Sequence, residues 1–472
     1  MPRPWLDAAG LVLLKGAVSG AVLWSGFRAV SDDDYARVAI AERFADAPQV
    51  DPTGTSWLPF PFYLYGFALK LFGSSLGTAT ALAVLLGIVS VLLCWWAARL
   101  LGLGRGLALG AAAACAVLPY SAYLGVAPVP EAPSAAICVF AAATLGHAGT
   151  LRVLGGAALF AACASRYEPW AVALAFAAFT GRDFLQRRER ALAIAASLAI
   201  AFPCLWLLHG IVRHGDATFF VSRVAAYRAA LGPDDSLLVR LWRTPRALLA
   251  GEPELTAVCF LLALPALWRA RGAAQRAQGY VRFALSLSGV VLLSWLGDVR
   301  GSAPTHHAER ALLAAWFGMA LVIVGAAELL SHARRQTRTA LAVSALLVVV
   351  ISSKLRELVP REPFAQRADA VDIGLRARAR NLNQLAIDSD DFAFFAIQAA
   401  WQAAAHTSAR RSRPTQGTPC AVDRRLSAPI ANSARRPNPC ARHPSLPRTL
   451  RSRCWQRERR EPRIPTARTV GS

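Results

Sequence analysis

The chain has 472 residues, 55% of them apolar and 17% charged, with a mean hydropathy of +0.37. Soluble domains run at roughly 45–50% apolar and about 25% charged, so an ordinary water-soluble globule is excluded. The net charge of +23 does not argue for nucleic acid: residues 401–472 alone carry +13, from sixteen Arg against Asp423, Glu458 and Glu461. Most other basic residues lie in short loops between apolar blocks, where they report membrane orientation.

Apolar blocks run over 9–30, 77–98, 106–124, 131–149, 153–165, 169–180, 190–212, 253–269, 282–297, 309–331 and 339–355. Crossing a bilayer takes about 20 residues. The pattern predicts an all-α polytopic membrane protein of about ten or eleven segments. The first block follows Met1-Pro-Arg-Pro without a small-residue cleavage site and reads as a retained span. Lys15 within it is expected to snorkel.

If the eleven blocks alternate, five sets of Arg fall on one side. They are Arg99 and Arg105; Arg152; Arg182, Arg187, Arg188 and Arg190; Arg269, Arg271, Arg276 and Arg282; and Arg334, Arg335 and Arg338. The positive-inside rule makes that side cytoplasmic. The N-terminus is then cytoplasmic, and the longer loops 31–76 and 213–252 face the periplasm of a bacterial inner membrane.

Blocks 153–165 and 169–180 are too short to span, and Ser165-Arg166-Tyr167-Glu168-Pro169 lies between them. A charge left unpaired at such depth costs ~2.5–3.5 kcal/mol on insertion scales. A re-entrant helical pair opening outward is the expected arrangement. Six cysteines (94, 115, 138, 163, 204 and 259) fall in apolar blocks as small hydrophobes, and no CxxC or Cys/His metal spacing occurs.

Four polar groups punctuate the outward side. Asp32, Asp33 and Asp34 follow the first span. They suit a general base for a hydroxyl acceptor, or simply the first turn of a helix capped by Ser31. Asp51 to Tyr65 is a turn and a Pro-punctuated aromatic segment, either an interfacial anchor or a platform beside a lipid groove. Glu131 opens a helix, as a first-turn acid or facing the same cavity as the aspartates. His306, His307, Glu309 and Arg310 open another. Adjacent His cannot share one helix face, which disfavours a closed zinc site, whereas Arg310 with a His suits a phosphate. No Walker loop, GxGxxG, GxSxG or HExxH is present.

These residues together resemble the GT-C glycosyltransferases that use polyprenyl-phosphate sugars, in particular the family 39-type, mannosyltransferase-like bacterial enzymes. The resemblance rests on the acids after the first span, the aromatic loop, Arg166-Tyr167-Glu168 and the His-x-Glu-Arg stretch, and covers about residues 5–355. It implies transfer of a sugar from a polyprenyl-phosphate carrier to a hydroxyl acceptor on the periplasmic face. Asp33 would be the base, with Asp32 and Asp34 supporting it or holding a divalent cation. Arg310, Arg166 and the His pair, near Glu309, Glu168 and Glu131, would hold the donor phosphate. Asp-Asp-Asp departs from the commoner Asp-Glu, and no soluble C-terminal domain is evident, so the acceptor is open. A transporter or flippase of lipid-linked or small anionic substrates is the alternative. It predicts internal repeats and mid-membrane charges.

The domain reading is a transmembrane unit over 1–355, an external segment over 356–400 and an Arg/Pro/Ser-rich tail over 401–472. The tail cannot bury enough apolar surface to fold. It is also what a shifted reading frame yields in GC-rich DNA.

Overall fold

The computed structural model describes residues 4–231, 235–270, 275–301, 308–330, 364–382, 385, 387 and 392–409. Its helices are α1 (Pro4–Trp24), α2 (Asp32–Asp46), α3 (Phe60–Phe72), α4 (Leu76–Leu100), α5 (Arg105–Val117), α6 (Pro119–Leu124) and α7 (Glu131–Ala143). They continue with α8 (Thr150–Cys163), α9 (Pro169–Arg187), α10 (Arg190–His214), α11 (Phe219–Leu231), α12 (Leu237–Gly251) and α13 (Pro253–Ala270). The last are α14 (Gln275–Val299), α15 (Leu313–Leu330), α16 (Ala368–Ala379) and α17 (Ala393–Ala409). Single 3₁₀ turns lie at Thr144–Gly146 and Ala308–Leu312, and no strand occurs among the described residues.

Five helical stretches are long and apolar enough to cross a bilayer: α1, α4, α10, Gln278–Val299 of α14, and Glu309–Ala327. Shorter apolar helices accompany them, and the chain is a multi-pass helical membrane protein. Leu13, Trp24, Phe72, Val212 and Leu261 are exposed. In water such a surface would aggregate, whereas against lipid tails it is the ordinary outer face. The block expected at 339–355 lies outside the described residues.

The centre of the bundle is α7, rich in Ala, with eleven of its thirteen residues buried. Small residues let backbones approach closely where lipid offers no hydrophobic drive between helices. Gly156 of α8 shows how closely: a Cβ there would lie 2.3 Å from the Ala195 carbonyl of α10.

The block at 106–124 is not one helix but two, α5 and α6, broken before Pro119. Lys15 does not snorkel. It is 1% exposed and its Nζ donates to the carbonyls of Ser121 (2.7 Å) and Ala116 (3.4 Å), on either side of that break. Proline cannot continue the ladder, and the ammonium supplies a donor the broken backbone lacks.

At the other end of the bundle, Arg105 grips Asp7 through Nε at 2.8 and 2.9 Å. Arg152, expected in a loop, is 2% exposed at the start of α8. It donates to the carbonyls of Thr144, Leu145 and His147 and to Asp183, which also receives Arg282 at 2.7 and 2.9 Å. That pairing lets α9 carry an acid and run to Arg187, past the expected end at 180. At 19 residues it is about 28 Å long, against about 21 Å for the 14 residues of α8, so the expected short pair is unequal.

A second, smaller core joins loop one to the C-terminal segment. Tyr35, Val38 and Ile40 of α2 and Phe62, Tyr65 and Leu69 of α3 pack with Val371 of α16 and Ala396 and Ile397 of α17. α17 continues nine residues past the expected boundary at 400, and residues 410–472 lie outside the described residues.

Glu42 of α2 is 1% exposed within this assembly, and neither carboxylate oxygen has a hydrogen-bond partner. Burial pushes its carboxyl up from 4.5 to about 8. A raised carboxyl binds a proton in the folded state that the unfolded chain has already released, so stability is full below 4.5 and is lost as pH rises through about 8. Glu42→Gln is expected to flatten that fall. Unfolding midpoints of detergent-solubilised protein across the window check it, and an equally steep fall in the variant would contradict it.

Candidate active site

The site begins where α2 begins. Ser31 is extended (φ −148°) and Asp34, third in the helix, turns its carboxylate back to the amides of Val30 (2.8 Å) and Ser31 (3.5 Å). Ser31 Oγ donates to the same carboxylate at 3.1 Å. This is the acid half of a capping box, which satisfies donors a helix start leaves free. The helix-start reading of the triplet therefore holds for Asp34.

Asp34 also meets a cation. Arg310, in the turn before α15, places Nη2 3.3 Å from Asp34 Oδ1, donates from Nη1 to Ser31 Oγ at 2.9 Å, and binds Glu131 Oε1 through Nε (2.9 Å) and Nη2 (2.8 Å). Glu131 is the first residue of α7 and 3% exposed. Arg166, in the link between α8 and α9, donates to the same Glu131 oxygen and forks onto Glu168. Residues from four places in the sequence thus converge: the triplet, Glu131, the Arg166–Glu168 pair and Arg310. A small cavity below them is lined by Glu131, Ser134, Cys138, Arg166, Glu168 and Arg310. Burial raises the Asp34 carboxyl above the usual carboxylate range, Arg310 pulls it down, and Glu131 and Asp33 add to the rise.

The three aspartates have separate surroundings. Asp32 accepts a bidentate pair from Arg367, Nε at 2.8 Å and Nη2 at 2.9 Å. Arg367 lies just before α16 in the left-handed backbone region (φ +47°), which side chains other than Gly enter reluctantly. Its neighbours hold it there: Tyr35 Oη donates to the Gln366 carbonyl (2.7 Å), the Arg28 amide to Gln366 Oε1 (2.7 Å) and the Ala365 amide to the Val30 carbonyl (3.2 Å). Asp33 is exposed and has no hydrogen-bonding or ion-pair partner among the described residues, while its charge acts on Arg37 and Arg310. It is the free carboxylate of the triplet.

Arg37 and Arg367 escaped the sequence reading. Arg37 stands one turn after Asp33, on the same helix face. Its guanidinium lies 4.5 Å from the Trp57 ring, which stacks near Phe62. Its Nε is buried without a hydrogen-bond partner. The spacing from Asp33 was a visible signal. Arg367 had none, because 334 residues separate it from Asp33. The aromatic segment divides: Trp57 covers Arg37, while Phe67, Leu71 and Phe72 of α3 point outward. Glu309 is half-buried beside Arg310 and pairs with no other described residue, and His306 and His307 lie outside the described residues.

The fold carrying this cluster is that of the GT-C membrane glycosyltransferases. It is similar to ArnT from Cupriavidus metallidurans in the apo state, with a TM-score of 0.55 and 13% identity over 83% of this chain and 85% of that one. ArnT bound to undecaprenyl phosphate gives 0.51 and 16%, over 82% and 85%. The Archaeoglobus fulgidus oligosaccharyltransferase, in complex with Zn and sulfate, gives 0.52 and 15% over 84% of this chain. The chain spans 61% of that larger protein. At these identities the likeness is one of fold. No protein-family model and no curated protein matches the sequence.

Removing Arg310 would leave buried Asp34 without its cation and buried Glu131 with Arg166 alone. Breaking a buried pair from one side costs about 3–5 kcal/mol. Arg310→Met is therefore expected to lower the unfolding midpoint far more than Asp34→Asn, which leaves Arg310 its Glu131 partner. Comparable losses from both variants would show that the Glu131 contact contributes little.

Proposed function

We propose that the protein is a membrane glycosyltransferase that moves a sugar from a polyprenyl-phosphate carrier to a hydroxyl acceptor on the periplasmic face of a bacterial inner membrane. The observation carrying this reading is one free carboxylate, Asp33, beside a guanidinium with an unused donor, Arg37, above the ion cluster of Glu131, Arg166 and Arg310. Such an arrangement suits a reaction in which an acceptor loses a proton while a phosphate leaves.

In this reading the acceptor oxygen attacks the anomeric carbon of the lipid-linked sugar. A carbon–oxygen bond forms on one face as the bond to the phosphate oxygen breaks on the other, with inversion. The acceptor proton passes to Asp33, and the electron pair departs with the polyprenyl phosphate. Arg37 meets the developing charge directly, since its Nε is not committed elsewhere. Arg310 and Arg166 hold Glu131 and stand next in line to the phosphate. His306 and His307 lie within four residues of Arg310 in sequence and are further candidates for the phosphate contact, with Glu309 between them and Arg310. Fold likeness to an ArnT that binds undecaprenyl phosphate supports the lipid carrier.

A divalent cation between Asp32 and Asp34 does not fit the donor set. Asp32 gives both oxygens to Arg367, and those of Asp34 go to Arg310, Ser31 and Val30.

Asp33→Asn is expected to lower transfer by about 10²–10⁴-fold, the usual contribution of a general base. It should change the unfolding midpoint little, because Asp33 has no hydrogen-bonding or ion-pair partner among the described residues. Arg37→Met is expected to weaken use of the lipid-linked donor. Proteoliposomes loaded with labelled polyprenyl-phosphate sugar give the readout. Transfer that survives Asp33→Asn would reject the base, and label that crosses the bilayer unconsumed would replace the enzyme with a transporter.

A further inference from the structure

Away from the aspartate triplet, loop one meets the end of α10. Asp51, His209 and His214 each bring a potential ligand atom to within 4.8 Å of the other two. We propose that these three side chains bind one zinc-type divalent cation, which staples loop one to the C-terminal end of α10.

Each ligand has capacity to spare. Asp51 uses Oδ1 to shape its own turn, accepting from the amides of Thr53 (3.2 Å) and Gly54 (3.0 Å) and from Thr53 Oγ1 (3.1 Å). Its second oxygen has no partner among the described residues. The Nε2 of His209 is buried without a hydrogen-bond partner, although the ring itself is fixed by stacking on Trp206, centroids 4.9 Å apart. An imidazole nitrogen shut away from water without a partner is unusual, and a metal–nitrogen bond accounts for it. His214, in the last turn of α10, lies 5.8 Å from His209 between ring centroids and packs on Phe219 at 4.2 Å.

The donor set selects the class of ion. Two imidazoles and one carboxylate suit zinc and neighbouring transition ions, whereas calcium and magnesium prefer oxygen ligands alone. Metal–ligand bonds of about 2.0–2.2 Å draw the atoms closer than they stand here. The exposed ring of His214 can rotate to close the set. Water takes the fourth position. The two His have four residues between them, a spacing that zinc sites commonly use. Asp51 is far away in sequence, so linear motif reading could have marked the pair but not the third ligand.

The surroundings give the staple something to hold. Arg223 of α11 donates to the carbonyls of Gly54 and Thr55, and Tyr167 Oη to that of Ser56 (2.8 Å). Trp57, next along, covers Arg37. An ion on Asp51 thus fixes the stretch of loop one that leads to the guanidinium.

The site is tested without measuring transfer, so its failure is separate from any failure of the enzyme reading. Full-length protein carrying no histidine tag is stripped with chelator in detergent and titrated with zinc chloride. Expected are one tightly bound ion per chain, a higher unfolding midpoint with zinc than with magnesium, and the absorption of tetrahedral cobalt when cobalt(II) replaces zinc. Asp51→Asn and His214→Gln should each weaken binding by at least about tenfold. Since His214 is exposed, its variant tests the site even if an Asp51 or His209 change disturbs folding. Zinc affinity unchanged in both variants, or no zinc-dependent rise in the midpoint, overturns the proposal.

Discussion

Arg310 is held between two carboxylates that lie 97 residues apart in the chain. Asp34 starts the helix of loop one, and Glu131 starts the central helix of the bundle. A guanidinium shared by two buried acids has little freedom of position, because any shift away from one leaves a charge uncompensated in a low-dielectric surrounding. The constraint therefore sets the height and rotation of α2, α7 and the turn before α15 together. With Arg166 locked onto the same Glu131 oxygen, the link between α8 and α9 joins the arrangement.

That rigidity explains how one reactive group can be left free. Asp34 is spent on the backbone and on Arg310, and Asp32 on Arg367. Three adjacent ionised carboxylates would otherwise repel one another. Giving two of them cations from distant segments removes most of that repulsion and leaves Asp33 exposed, without a hydrogen-bonding or ion-pair partner among the described residues, on a helix end that cannot drift. The C-terminal segment thus takes part in the architecture of the site: through Arg367 and the contacts of Gln366 it straps loop one from the outside.

Composition and block length disclosed the membrane class, and charged clusters in the sequence marked Asp32 to Asp34, Glu131, Arg166 and Arg310. These were legible because charged residues beside apolar blocks are costly and hence conspicuous. What stayed hidden has physical reasons as well. Arg152 looks like a loop charge, yet it satisfies the carbonyls that end the α7 turn. Hydropathy joined residues 106–124 into one block, since a proline interrupts hydrogen bonding without altering apolar character. The docking of α16 and α17 on α2 and α3 depends on ordinary apolar side chains, and such surfaces carry no mark of their partner. Arg37 was visible in spacing but indistinguishable from a solvated residue until Trp57 was seen lying on it.

The carbonyls that receive Lys15 are 101 and 106 residues further along the chain. During synthesis at about 5–20 residues per second, the first span therefore waits on the order of 5–20 s for them to emerge. Over that interval its ammonium, near the middle of the helix, has no internal acceptor, at a cost of ~2.5–3.5 kcal/mol for a lysine at bilayer centre. The nascent helix is thus a reluctant entrant that gains its place only when α6 arrives. Settling of the first span is thereby tied to the making of roughly the first quarter of the chain.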